Sequence, residues 1–132
     1  MATEATGVDR PLLVDGSVQR RRYQIRLADA AAADHTLVCL PTGLGKTAVS
    51  LLVTAERLHE AGGKSLFLAP TKPLVQQHAE FYREALSIPD DEIVVFTGDV
   101  RPDDRAALWG DARVAIATPQ VVENDLVGNR IS

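Results

Sequence analysis

Leu40-Pro41-Thr42-Gly43-Leu44-Gly45-Lys46-Thr47 is the stretch on which the reading of this chain turns. An apolar run, Leu37 to Leu40, leads into it, and a segment with helical spacing leads out of it. A loop so placed can aim backbone amides at an anion only where no Cβ obstructs them, and Gly43 and Gly45 meet that need. The helix start that follows offers its positive end to phosphates. Lys46 can then reach the β- and γ-phosphates of a nucleotide, and the Thr47 hydroxyl can ligate Mg²⁺. The expected cradle runs from Leu40 through Pro41, Thr42, Gly43, Leu44 and Gly45 to Ala48. The strict phosphate-loop pattern has glycine where this chain has Leu40. A tight glycine turn carrying a surface lysine is the plain alternative; the strand before and the helix after favour the phosphate loop.

On either side the pattern alternates. Short apolar runs at 36–40, 65–69, 93–97 and 113–117, often β-branched, suit buried parallel strands. Helical spacing occupies 46–61, 73–86, 102–109 and 119–127, and upstream 18–33 holds neither Gly nor Pro. Gly62-Gly63 reads as a helix C-cap, while Pro73 and Pro119 stand where a first-turn proline is tolerated. Four βα units in series predict an α/β fold, a parallel sheet with right-handed crossovers and helices on both faces. Ligands of such sheets bind beyond the carboxyl ends of the strands. The segments 41–47, 70–73, 97–99 and 118–120 are therefore expected to share one rim.

The chain has 132 residues, 45% of them apolar, which fits one domain. Residues 1–17 read as a flexible arm and 18–132 as the folded part. A formal charge of −4 excludes a wholesale nucleic-acid coat and leaves room for a localised basic site. Three lysines stand against eleven arginines. No apolar run exceeds four residues, far short of the ~18 of a membrane helix. Met1 to Asp15 lacks the apolar core of a secretory signal. One cysteine, Cys39, excludes an internal disulfide and reads as a small buried residue at a strand end. The expectation is a soluble cytoplasmic protein without a membrane partner. His35, His59 and His78 have no metal-site spacing and suit surface or capping roles. Tyr23 reads as core, and Trp109 as packing its helix on the sheet. Asp103-Asp104 and Asp90-Asp91-Glu92 read as solvated charges.

Pro41 to Thr47 resembles motif I of the superfamily 2 helicases, in which the first glycine is commonly replaced. Ala69-Pro70-Thr71-Lys72-Pro73-Leu74-Val75 resembles motif Ia, and Thr118-Pro119-Gln120 motif Ib. The wording is most similar to the Hef/FANCM/Mph1 branch of fork-remodelling DNA helicases, from about Arg21 to the last residue. The resemblance implies a RecA-like ATP-binding domain using ATP and Mg²⁺, with DNA as partner. It implies that Gln24 of Arg21-Arg22-Tyr23-Gln24 reads the adenine edge and that Arg21 lies against the base. Chemistry allows both, since an amide pairs with N6 and N7 and a guanidinium stacks on a ring. It also assigns Thr71, Lys72, Pro73, Thr97, Gly98, Thr118, Pro119 and Gln120 to the DNA backbone. Helix starts bind phosphate without reading sequence, as a translocase requires. The plain alternatives are a solvated basic face at 20–26 and ordinary proline-led connections at 73 and 119.

ATP hydrolysis needs further carboxylates, one on the metal and one orienting water. The family's Asp-Glu-Ala-His box does not occur in the sequence. Asp90-Asp91-Glu92 precedes a strand, and Asp99 has no adjacent acid. The chain therefore reads as the front piece of a helicase with a genuine start at Met1, inactive alone and possessing a C-terminal helicase half as its missing counterpart. A non-hydrolysing nucleotide- or DNA-binding remnant is the alternative, and a small P-loop kinase a further one.

Overall fold

A computed structural model describes residues 10–14, 16, 18, 21–41 and 45–131. They divide into two compact units, Met1–Gly62 with Glu84–Ser87, and Gly63–Arg83 with Ile88–Ser132.

In the first unit α1 (Arg22–Ala33) packs on α2 (Lys46–Ala61). α2 carries no glycine or proline and buries Val49, Leu51, Leu52, Thr54, Ala55 and Leu58, a stripe broad enough for more than one neighbour. α1 buries Gln24 and Ala28, one turn apart, so a small side chain and an amide face inward. α2 stops where expected: Gly62 takes φ +67, and its N–H donates to the Leu58 carbonyl at 3.2 Å. Part of the expected arm is tied down. Leu13 bridges Leu86 antiparallel, flanked by Val14 N–H to Ala85 O and Ser87 N–H to Leu12 O, both 2.8 Å. The reason is apolar: Leu13 and Leu86 are both buried.

One expected strand is absent. Residues 36–40 form no strand, Leu37 is 89% exposed, and Cys39 is exposed rather than buried. A strand exists only as a member of a ladder, and among the described residues none pairs with this run.

The second unit holds a parallel sheet of β1 (Ser65–Leu68), β2 (Ile93–Phe96) and β3 (Val114–Ala117), ordered β1-β3-β2. Ser65 and Ile93 both register with Val114, and Leu68 and Phe96 both with Ala117, so the three strands end level. The central strand is buried along its whole length; the edge strand β1 is buried on neither face. Helices cover both faces of the sheet. On one, Phe67 meets His78 and Tyr82 of α3 (Lys72–Ala85) with ring centroids 4.7 and 5.5 Å apart. His78 thus packs on an aromatic ring rather than capping a helix, and burial lowers its pKa. On the other, Phe96 stacks on Trp109 of α4 (Pro102–Asp111) at 3.9 Å and 7°, in one cluster with Ala115, Ala117 and Val121 of α5 (Pro119–Val127). Trp109 does pack its helix on the sheet.

Candidate nucleotide and nucleic-acid sites

Thr42, Gly43 and Leu44 lie outside the described residues, so the nucleotide end is built from what flanks them. Gly45 sits at the N-cap of α2 in the left-handed region, φ +76 and ψ +47. Lys46, the first helical residue, is exposed; Thr47 and Ala48 are half-buried, and Pro41 is exposed. A left-handed glycine, a lysine and a threonine hydroxyl at one helix N-terminus form a donor set that fits a metal-bound triphosphate. Arg21 is the exposed N-cap of α1, and Tyr23 behind it is half-buried. Gln24 is 4% exposed, and its Nε2 donates to the Gly45 carbonyl at 3.4 Å. The amide expected to read a base thus also touches the phosphate loop, and a Cβ built on Gly45 would collide with it, 2.3 Å away.

The second unit supplies the rim. With three strands ending level, the segments after β1, β2 and β3 leave the sheet together, and each leads into a helix. After β1, the Thr71 hydroxyl accepts the Leu74 N–H at 3.4 Å, capping α3, whose exposed first residues are Lys72 and Pro73. After β3, Thr118 is the N-cap of α5, with Pro119 and Gln120 exposed in its first turn. After β2, Thr97 is 3% exposed, and its hydroxyl accepts the Asp99 N–H at 3.4 Å. Thr97 therefore shapes the turn from inside, while Gly98 and Asp99 are exposed. Lys72 forms an ion pair with Asp99, which joins the first of these segments to the third.

Behind the rim lies a network that residue spacing does not reveal. Asp125 of α5 is fully buried and accepts from Arg105 Nε (2.8 Å) and Nη2 (2.8 Å), and from Trp109 Nε1 (2.7 Å). Arg105 also donates from Nη1 to the Val100 carbonyl at 2.6 Å, bracing the turn after β2. The Arg105 hydrogen bond, helped by Trp109 and Arg130, holds the Asp125 carboxyl below its usual range; the same bond raises Arg105. Arg105 and Trp109 stand one turn apart on α4, which is the only signal the sequence offered.

A parallel sheet covered by helices, a helix that starts on a left-handed glycine followed by Lys46 and Thr47, and three aligned strand exits define a RecA-like α/β chain. A family model of the DEAD/DEAH box helicases matches residues 21–131, and the chain belongs to that family. It is 41% identical to the DEAD-box ATP-dependent RNA helicase FANCM of Arabidopsis thaliana over 86% of its length, and 40% identical to the ATP-dependent DNA helicase mph1 of Sclerotinia sclerotiorum over 80%. The crystal structure of the Pyrococcus furiosus Hef helicase domain matches 86% of the chain with a TM-score of 0.83 at 46% identity. Yeast Prp28 shares the fold, with a TM-score of 0.58 at 21% identity over 70% of the chain and 24% of its own. The chain spans 8% and 9% of the two curated relatives and 24% of the Hef chain. Among the described residues no helix is long and apolar enough to cross a membrane.

Proposed function

We propose that this chain is the ATP-binding front portion of an ATP-dependent DNA helicase or translocase that acts on forked or branched DNA in repair. The observation that carries the reading is the level ending of β1, β2 and β3, which sends the candidate backbone-contacting segments off one edge of the sheet. On this reading Lys46 holds the β- and γ-phosphates of ATP, and Thr47 ligates Mg²⁺. Arg21 and Gln24 take the adenine, and Pro41 to Ala48 the phosphates. The metal-bound nucleotide would supply the charge and the bond whose cleavage drives movement. Thr71, Lys72, Pro73, Gly98, Thr118, Pro119 and Gln120 grip backbone phosphate, Thr97 holding the turn beneath. Contacts of that kind carry no sequence information, which suits a motor that steps along any sequence. The names of the relatives divide between RNA and DNA helicases; the mph1 and Hef likeness favours DNA, and a second helicase half is the natural partner.

The chain contains no Asp-Glu-Ala-His box. Alone it is expected to bind ATP without turning it over. Calorimetry with ATP and Mg²⁺ should give a binding isotherm that Lys46→Ala abolishes. An unchanged isotherm would remove the phosphate role, and DNA-stimulated turnover at ~1 s⁻¹ would remove the expected inactivity.

A further inference from the structure

The ion pair between Lys72 and Asp99 joins the exits of two strands that are not neighbours, because β3 lies between β1 and β2. The pair therefore spans the exit of β3, where Thr118 opens α5. Asp99 is held in place rather than trailing in solvent. Its turn is closed by Val100 N–H to Thr97 O at 3.1 Å, and its own N–H donates to Thr97 Oγ1. The turn is pinned from below by Arg105, which binds the Val100 carbonyl and is itself locked by Asp125. The partner is an ammonium on the first residue of α3, where helix and side chain both attract anions. A carboxylate in that position makes the contacts a phosphate oxygen would make.

We propose that Asp99 is an internal stand-in for a backbone phosphate, occupying Lys72 until a nucleic-acid strand displaces it. The proposal rests on reading the rim as a backbone-binding surface. Both side chains are well exposed, 54% and 65%, so a competitor reaches the pair freely and the pair itself contributes little. Exchange of carboxylate for phosphate is then nearly even. The strand gains less at Lys72 than from an unpaired lysine, and Asp99 stays beside it as a like charge that favours release. Such a contact limits how tightly a tracking protein holds its track.

The test is fluorescence anisotropy of the chain with a labelled oligothymidylate at low salt, comparing D99N, K72A, the double variant and D104N. Asp104 is an exposed acid of the first turn of α4, and it calibrates the effect of removing any one negative charge. D99N is expected to tighten binding by about two- to five-fold, the range of an exposed ion pair, and more than D104N does. In the K72A background the D99N gain should shrink to that of D104N. A D99N gain no larger than that of D104N, or one that persists without Lys72, overturns the stand-in while leaving the rim reading intact. An affinity that is the same for D99N and the double variant, where no carboxylate competes for Lys72, removes Lys72 from the rim reading, and the stand-in with it.

Discussion

The two units of this chain hold their charges in opposite ways. In the helical unit the ion pair of Arg10 with Asp29, at 2.9 Å, lies on the surface, with Asp29 57% exposed. In the sheet unit the pair of Arg105 with Asp125, at 2.8 Å, is sealed, with exposures of 6% and 0%. Burial makes the second pair conditional: its desolvation is offset only while both partners and the Trp109 N–H are present. The surface pair makes no such demand, because water replaces whichever partner is lost. The unit that braces the candidate nucleic-acid rim is thus the one whose architecture depends on complete polar satisfaction, and the unit that carries Gly45 and Lys46 is held by the packing of α1 on α2.

That contrast can be broken by experiment. Asp125→Ala should cost about 3–5 kcal/mol in chemical denaturation, since it leaves the Arg105 guanidinium buried without its partner; a loss below about 1 kcal/mol would make the two pairs equivalent. The same carboxylate gives the sheet unit an acid limit. A depressed pKa contributes stability that is present above the unfolded value of ~3.9 and lost as pH falls through the lower folded value. Denaturation followed by Trp109 fluorescence should therefore weaken in two steps, the first below about pH 6.5, where the unfolded chain protonates His78 and the folded unit resists it, and the second below about pH 4; Asp125→Asn should flatten only the second. Gly45→Ala is expected to destabilise by about 1–2 kcal/mol, because φ is +76 there and the new methyl displaces the Gln24 amide. An unaltered melting temperature would show that α2 can begin without the left-handed turn. The smallest effect belongs to Asp29→Ala, under about 1 kcal/mol by the same denaturation assay.

Much of the fold was legible because punctuation bounds it. α2 and α5 run as their residues predict, 46–61 and 119–127, since Gly45 and Gly62 frame the first and Pro119 opens the second. α3 is shifted by one residue at each end and α4 runs two residues further at its C-terminus, within the fraying of any helix terminus. α1 starts four residues later than the expected 18, at Arg22, where no proline or capping side chain marks its beginning. The run at 36–40 has the sequence of a strand and not its structure, because hydrophobicity reports the tendency to be buried, whereas a strand needs a neighbour, and neighbours are not local in sequence. The candidate site divides in the same way. Lys46, Lys72 and Pro119 fall at helix starts, which spacing predicts. Arg105 and Asp125 went unnoticed because they meet across two helices, 20 residues apart. Thr97 resembled a surface contact and is an interior one, since alternation along so short a strand cannot say where the chain turns back inward.

The edge strand β1 carries a consequence for anyone handling the molecule. Leu66 and Leu68 lie on the same side of it, 47% and 49% bare, and its outer backbone edge pairs with no strand among the described residues. An adhesive stripe beside an open ladder invites chain-to-chain ribbon growth. Chain-to-chain association at high stock concentration is expected to start there, at two leucines of the strand that leads into the Thr71–Lys72 turn.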